Sequence, residues 1–161
     1  MDNHEVLTKQ QPIIGAGALI AEQADLIGKV SDAESFLNTA KAMLDGAQPL
    51  QEVNPVPAIA VTFLCGFCAE TALKAALAQT GTSTKVLKDI GHQLIQLWNE
   101  AVSKGILDSV PPRWLEQLNS LHAGDYVLRY PMQLNGIVLP NQAAMMQSCL
   151  DLYAAAKAIV R

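Results

Sequence analysis

The chain has 161 residues and a mass of 17.3 kDa, one domain of ordinary size, long enough to bury roughly 70% of the surface its unfolded form exposes. Half of the residues are hydrophobic, 16% are charged and the mean hydropathy is +0.20, which excludes disorder as the general state. Fifteen acidic against eleven basic residues give a net charge of −4; that balance argues against a protein that coats nucleic acid, and leaves a local RNA or nucleotide site unsupported by net charge.

Twenty-three alanines and 21 leucines, with few aromatics, lean the composition towards helix. Three cysteines, an odd number, fit a reducing, cytoplasmic compartment. The apolar run Ile13 to Ala21 lacks the positive leader of a signal peptide, because Asp2 and Glu5 outweigh Lys9. Pro57 to Ala69 is apolar for about 13 residues, short of the roughly 18 that span a bilayer. No membrane association is expected.

Residues 1–30 are the least decided part, an Ala-rich helix weakened by Gly15 and Gly17 or an arm. Gly15-Ala-Gly17 starts like a dinucleotide fingerprint, but Ile20 stands where the third glycine belongs and no β-α-β alternation follows. From residue 31 to 161 the pattern is a helical bundle. Ser31 and Glu34 form a capping box, and Phe36, Leu37, Ala40, Met43 and Leu44 give the first helix its core stripe before Gly46 ends it. A proline-marked loop, Pro49 to Pro57, leads to the most apolar segment, Ala58 to Gln79, with Gly81 as its terminator. Thr82 to Asp89 reads as a polar loop.

From His92, the residues Leu94, Leu97, Trp98, Ala101 and Val102 share one helical face, closed by Gly105. Pro111 and Pro112 open the next helix, with Trp114, Leu118 and Leu121 on its buried side. Gly124, Pro131 and Gly136 mark an irregular segment. A last helix starts at Pro140 and faces Met146, Cys149, Leu150, Tyr153 and Ile159 inward. The expected fold is all-α, an up-and-down antiparallel bundle of about five helices.

Cys65-Gly66-Phe67-Cys68 has the spacing of a thiol-redox motif. No strands precede it to build a thioredoxin sheet, and inside a helix the two thiols pack as small hydrophobes. Zinc held by Cys65 and Cys68 with His92, His122 or Cys149 lacks the second paired half such sites use. A thiol-redox or zinc protein is therefore a remote alternative, and no metal or cofactor is expected.

The polar residues set into apolar pattern are more informative. Glu70 and Lys74 lie four apart in the favourable order on the central helix, where they are expected to mark its emergence from the core or to line a cleft. His92 opens a helix. Arg129, one of three arginines, stands between Tyr126 and Tyr130 and is expected to tie the irregular segment to a carboxylate such as Glu70. Glu70, Lys74, His92, Tyr126, Arg129 and Tyr130 form the candidate cleft.

Taken in order, Cys68-Ala-Glu70-Thr-Ala-Leu-Lys74-Ala, Gly91-His92-Gln-Leu94 with Leu97-Trp98, and Leu128-Arg129-Tyr130-Pro131 resemble the HEPN superfamily over residues 33–156. The resemblance implies a four- or five-helix bundle, commonly a homodimer. Many HEPN domains are metal-independent ribonucleases of toxin and defence systems; others are non-catalytic partners or binding modules. The nuclease members carry an Arg and a His with four to six residues between them. Here Arg113 and His122 have eight between, and nine steps turn a helix through about 900°, which sets the two on opposite faces. The expectation is a non-catalytic, homodimeric binding or interaction module, with a protein partner as a further candidate. The alternative is a divergent metal-independent endoribonuclease in which Arg129 pairs with His92 or His122, since a base and a cation suffice for that chemistry.

Overall fold

A computed structural model describes residues 30–123 and 136–160 of the chain. The chain separates into two units, Met1–Val30 and Ser31–Arg161, and the account below concerns the second. The described residues hold six α-helices and one short 3-10 turn, with no strand among them. The expected all-helical bundle is what forms.

Local chemistry sets most of the helix ends. In α1 (Asp32–Ala47), Ser31 and Glu34 close a full capping box, each side chain accepting the other's backbone N–H. The helix runs on through Gly46 to Ala47 and a cap at Gln48, one residue past the expected stop. A 3-10 turn at Pro49–Glu52 and a bent segment to Pro57 lead into α2 (Ala58–Gln79), whose bounds match the apolar segment. Gly81 ends α2 at φ +91°, a left-handed conformation that L side chains avoid. The amides of Gly81 and Thr82 then reach back to Ala78 and Leu77 at 3.0 Å, a complete Schellman closure.

The stretch read as a polar loop contains a helix, α3 (Thr84–Ile90). Ser83 caps it through the Val86 amide, Leu87 is buried beneath it, and Thr84 hydrogen-bonds Asp32 at the start of α1. One buried leucine in seven residues is too little periodicity to read from sequence. α4 (Leu94–Ser103) buries Leu94, Leu97, Trp98 and Ala101, as its spacing requires. In α5 (Arg113–His122) the buried face is Leu115, Leu118, Leu121 and His122; Leu118 and Leu121 are as expected, whereas Trp114 is half-buried and Leu115 takes the interior position. α6 (Gln142–Ile159) starts at an Asn141 cap and buries Met145, Met146, Cys149, Leu152 and Ala156, with Leu150, Tyr153 and Ile159 packed at the margin.

The centre of the bundle is α2. It packs against α1 and α6 most extensively and against α4 and α5 less so. α2 is long and apolar enough to cross a membrane by length and composition, but two-thirds of it is buried inside the protein, as befits a core helix.

The burial of α2 runs opposite to the expectation. Glu70 and Lys74 do not mark its emergence: every residue from Cys68 to Leu77 is buried, and the apolar first turns expose Ile59 and Ala60. The charged pair lies in the deepest part of the helix because partners from elsewhere in the chain close over it.

Candidate functional site

Gly66, Glu70 and Lys74 follow one another at intervals of four, so they lie along a single ridge of α2. Two histidines reach that ridge from separate places. His92 sits just ahead of α4, after the chain turns at Gly91, and His122 is the last residue of α5. The start of α4 is tied to the end of α5: Gln93 Nε2 donates to the Ala123 carbonyl at 3.1 Å and the Ile95 amide to Asn119 Oδ1 at 3.3 Å. Those two bonds hold the histidines side by side.

The Glu70 carboxylate is the hub. Oε1 accepts from Lys74 Nζ at 2.7 Å, while Oε2 faces His92 Nδ1 at 2.8 Å and His122 Nε2 at 2.7 Å. Side-chain exposure is 5% for Glu70, 9% for Lys74 and 1% for His122, but 35% for His92. His92 is thus the edge of the cluster and the other three are its interior. Burial pushes the Glu70 carboxyl up, but hydrogen bonds from His122, Lys74 and His92 outweigh it and bring the value down to about 2. At neutral pH the carboxylate is ionised and can only accept. The His92 Nδ1 and His122 Nε2 atoms facing it are therefore the protonated nitrogens, which fixes both tautomers.

Ring packing orients the same pair. Phe67 meets the His122 ring edge-on at 4.9 Å and the His92 ring at 6.2 Å, and the two imidazoles stand at 88° with centroids 5.8 Å apart. Phe63 packs on Phe67 with ring centroids 4.9 Å apart and the rings tilted by 56°. A glycine completes the arrangement. A Cβ on Gly66 would lie 2.5 Å from His122 Nδ1 and 2.8 Å from its Cγ, so only glycine lets the imidazole lie against the α2 backbone.

The Cys65-Gly66-Phe67-Cys68 motif is therefore divided between two faces. Gly66 and Phe67 face the histidines, while Cys65 and Cys68 are buried with Cys149, whose Sγ donates to the Cys65 carbonyl at 3.6 Å. Hydrogen bonding with Cys65 and Cys68, together with burial, raises the Cys149 thiol well above its ordinary value. The three free thiols are fully enclosed, unlike the accessible thiolates of redox motifs. Cysteines and histidines do not assemble: among the described residues, the one group of three potential ligands with donor atoms within 4.8 Å of one another is Glu70, His92 and His122.

Of the candidate cleft residues, Glu70, Lys74 and His92 converge. Tyr126, Arg129 and Tyr130 lie outside the described residues, as does the expected tie from Arg129 to Glu70. His122, which entered the sequence reading as a zinc-ligand option and as an alternative partner for Arg129 but not in the candidate cleft, is the fourth member. Arg113 is exposed at one end of α5 while His122 is buried at the other, so the two do not form a pair. The available signal was Gly66, a helix-weakening residue one turn before Glu70 in an otherwise strong helix, which demands a close neighbour.

A second feature is apolar. Pro57, Ala58, Ile59, Ala60, Phe63 and Leu64 line an open groove of about 650 Å³ along the first turns of α2. Comparison of the chain with protein-family models, curated proteins and solved structures finds no match.

Proposed function

We propose that the chain is a HEPN-like binding or interaction module of the cytoplasm that works as a homodimer and lacks the Arg–His pair of the family's ribonucleases. The observation that carries this reading is the apolar groove at the start of α2, with Ile59 more than half exposed. A contiguous apolar surface on a helix otherwise packed into the core is the kind that a second subunit covers. The bundle, the ordered Glu70, Lys74 and His92 positions and the reduced thiols are in keeping with it. In this reading the Glu70 network serves to fix the geometry of the bundle. Light scattering at tens of micromolar is expected to give a dimer, and Ile59→Glu a monomer of unchanged helicity. A monomeric parent protein would remove the reading.

One observation favours a second reading, a divergent metal-independent endoribonuclease. Glu70 Oε2 faces Nδ1 of the partly exposed His92 at 2.8 Å, a carboxylate–histidine pairing of the kind that orients a general base. Such a base would take the proton of a ribose 2′-hydroxyl, with a cation to stabilise the phosphate. Incubation of a labelled RNA pool in EDTA tests it, beside His92→Gln and Arg129→Ala. The module reading expects intact RNA throughout; cleavage lost in His92→Gln would replace it with the nuclease.

A further inference from the structure

The Glu70, His92 and His122 donors have a property that neither reading uses. They are two imidazole nitrogens and one carboxylate oxygen from three separate segments of the chain, and they converge within 4.8 Å. Two histidines and one carboxylate are a donor set for zinc and for other first-row divalent ions, typically with one coordination position left for water or substrate.

We propose that Glu70 Oε2, His92 Nδ1 and His122 Nε2 form a binding site for one transition-metal dication, with zinc the best match in donor type. Ligand bonds of about 2.0–2.1 Å in a tetrahedral arrangement set neighbouring donors about 3.3 Å apart. The Oε2–N separations of 2.8 and 2.7 Å therefore open by about half an ångström on each side as the ion enters. Each imidazole moves its proton to the other ring nitrogen, and the carboxylate is already ionised.

The surroundings are those of a supported ligand set. Lys74 Nζ holds Oε1, the oxygen turned away from the imidazoles, and so fixes the carboxylate without occupying the donor oxygen. Phe67 packs on both rings, and Gly66 gives His122 the room to lie flat. His92, the half-exposed member, gives the ion its route from solvent. The charges also specify the fourth ligand. A dication beside Lys74 and one carboxylate leaves the site with two positive charges in excess, so an anion such as hydroxide, phosphate or a carboxylate completes the coordination.

The test uses the full chain, purified without a histidine tag, stripped with chelator and titrated with Co²⁺ and then with Zn²⁺ in competition. The expected result is one Co²⁺ per chain, with visible d–d bands of a four-coordinate ion and no near-ultraviolet thiolate-to-cobalt charge transfer. Affinity should fall at least tenfold in His92→Gln, whose half-exposed position spares the fold, as circular dichroism will verify. His122→Ala should abolish the bands. No uptake at about a hundredfold molar excess of either ion by the folded parent would overturn the proposal. So would thiolate charge transfer, which would put the ion on Cys65, Cys68 and Cys149, or an affinity unchanged in His92→Gln.

Discussion

Two acid–base pairs in this protein have the same spacing, one helical turn, and opposite surroundings. Lys41 and Asp45 meet on the outer face of α1, both about half exposed. Glu70 and Lys74 meet inside α2, both nearly enclosed, with two histidines on the same carboxylate. A spacing rule treats the pairs alike and assigns each a few tenths of a kcal/mol. Burial separates them. In water, each member of the α1 pair has solvent as a substitute partner, and ordering two long side chains offsets the attraction. Inside the bundle Glu70, Lys74 and His122 have no such substitute, so each depends on the others.

The largest effect expected from this contrast is at Glu70. Glu70→Ala leaves Lys74 buried without its counter-ion and removes the acceptor of two imidazole N–H groups, a loss of about 3–5 kcal/mol by urea unfolding. If the cost is below about 1 kcal/mol, the cluster is not holding the bundle together. The pH dependence follows the same carboxylate. Its value is lowered from 4.5 to about 2 on folding, so the stability it contributes is fully present above pH ~4.5 and is lost as pH falls towards 2. The total is roughly 3 kcal/mol. Unfolding midpoints between pH 5 and 3 should decline in the parent protein and flatten in Glu70→Gln.

Gly66→Ala probes the same network by shape alone. The added methyl overlaps the His122 ring, which must swing off Oε2 or push α5 outward, at a cost of about 1–3 kcal/mol. On an ordinary helix the same change stabilises by up to about 1 kcal/mol, since alanine is the better helix former. The sign of the change therefore decides whether the imidazole rests on the α2 backbone.

These expectations also explain what the sequence discloses about the molecule. The ends of α1, α2 and α4 are legible because caps are local: Ser31 with Glu34, Gly81 and Gly105 each act within a few residues. The convergence at Glu70 is not local. His92 lies 22 residues away and His122 lies 52, and a pattern that assigns charge to the surface places Glu70 and Lys74 at an exit from the core. Periodicity records the polarity of a residue but not the partner that neutralises it. Three of the six candidate cleft residues meet all the same, because polar residues inside an apolar helix require partners. His122 stays outside the candidate cleft because it follows a leucine-rich face and looks like a helix end. α3 escapes because seven residues are too few for a period.

The smallest effect completes the contrast. Lys41→Ala breaks the α1 pair without burying or exposing anything else, and alanine improves the local helix propensity. In addition, the order Lys before Asp is the weaker one on a helix, since it opposes the macrodipole. The expected change in stability is the smallest of the set and of either sign, and its ion-pair part vanishes in molar salt, where exposed charges are screened within about 3 Å. The buried network should keep its contribution in the same salt, because ions do not enter a space from which water is already excluded. Unfolding of Lys41→Ala and of the parent in low and high salt thus tests the comparison at its weaker end. A loss near that of Glu70→Ala would mean that the turn spacing, and not the burial, sets the strength of such pairs in this bundle.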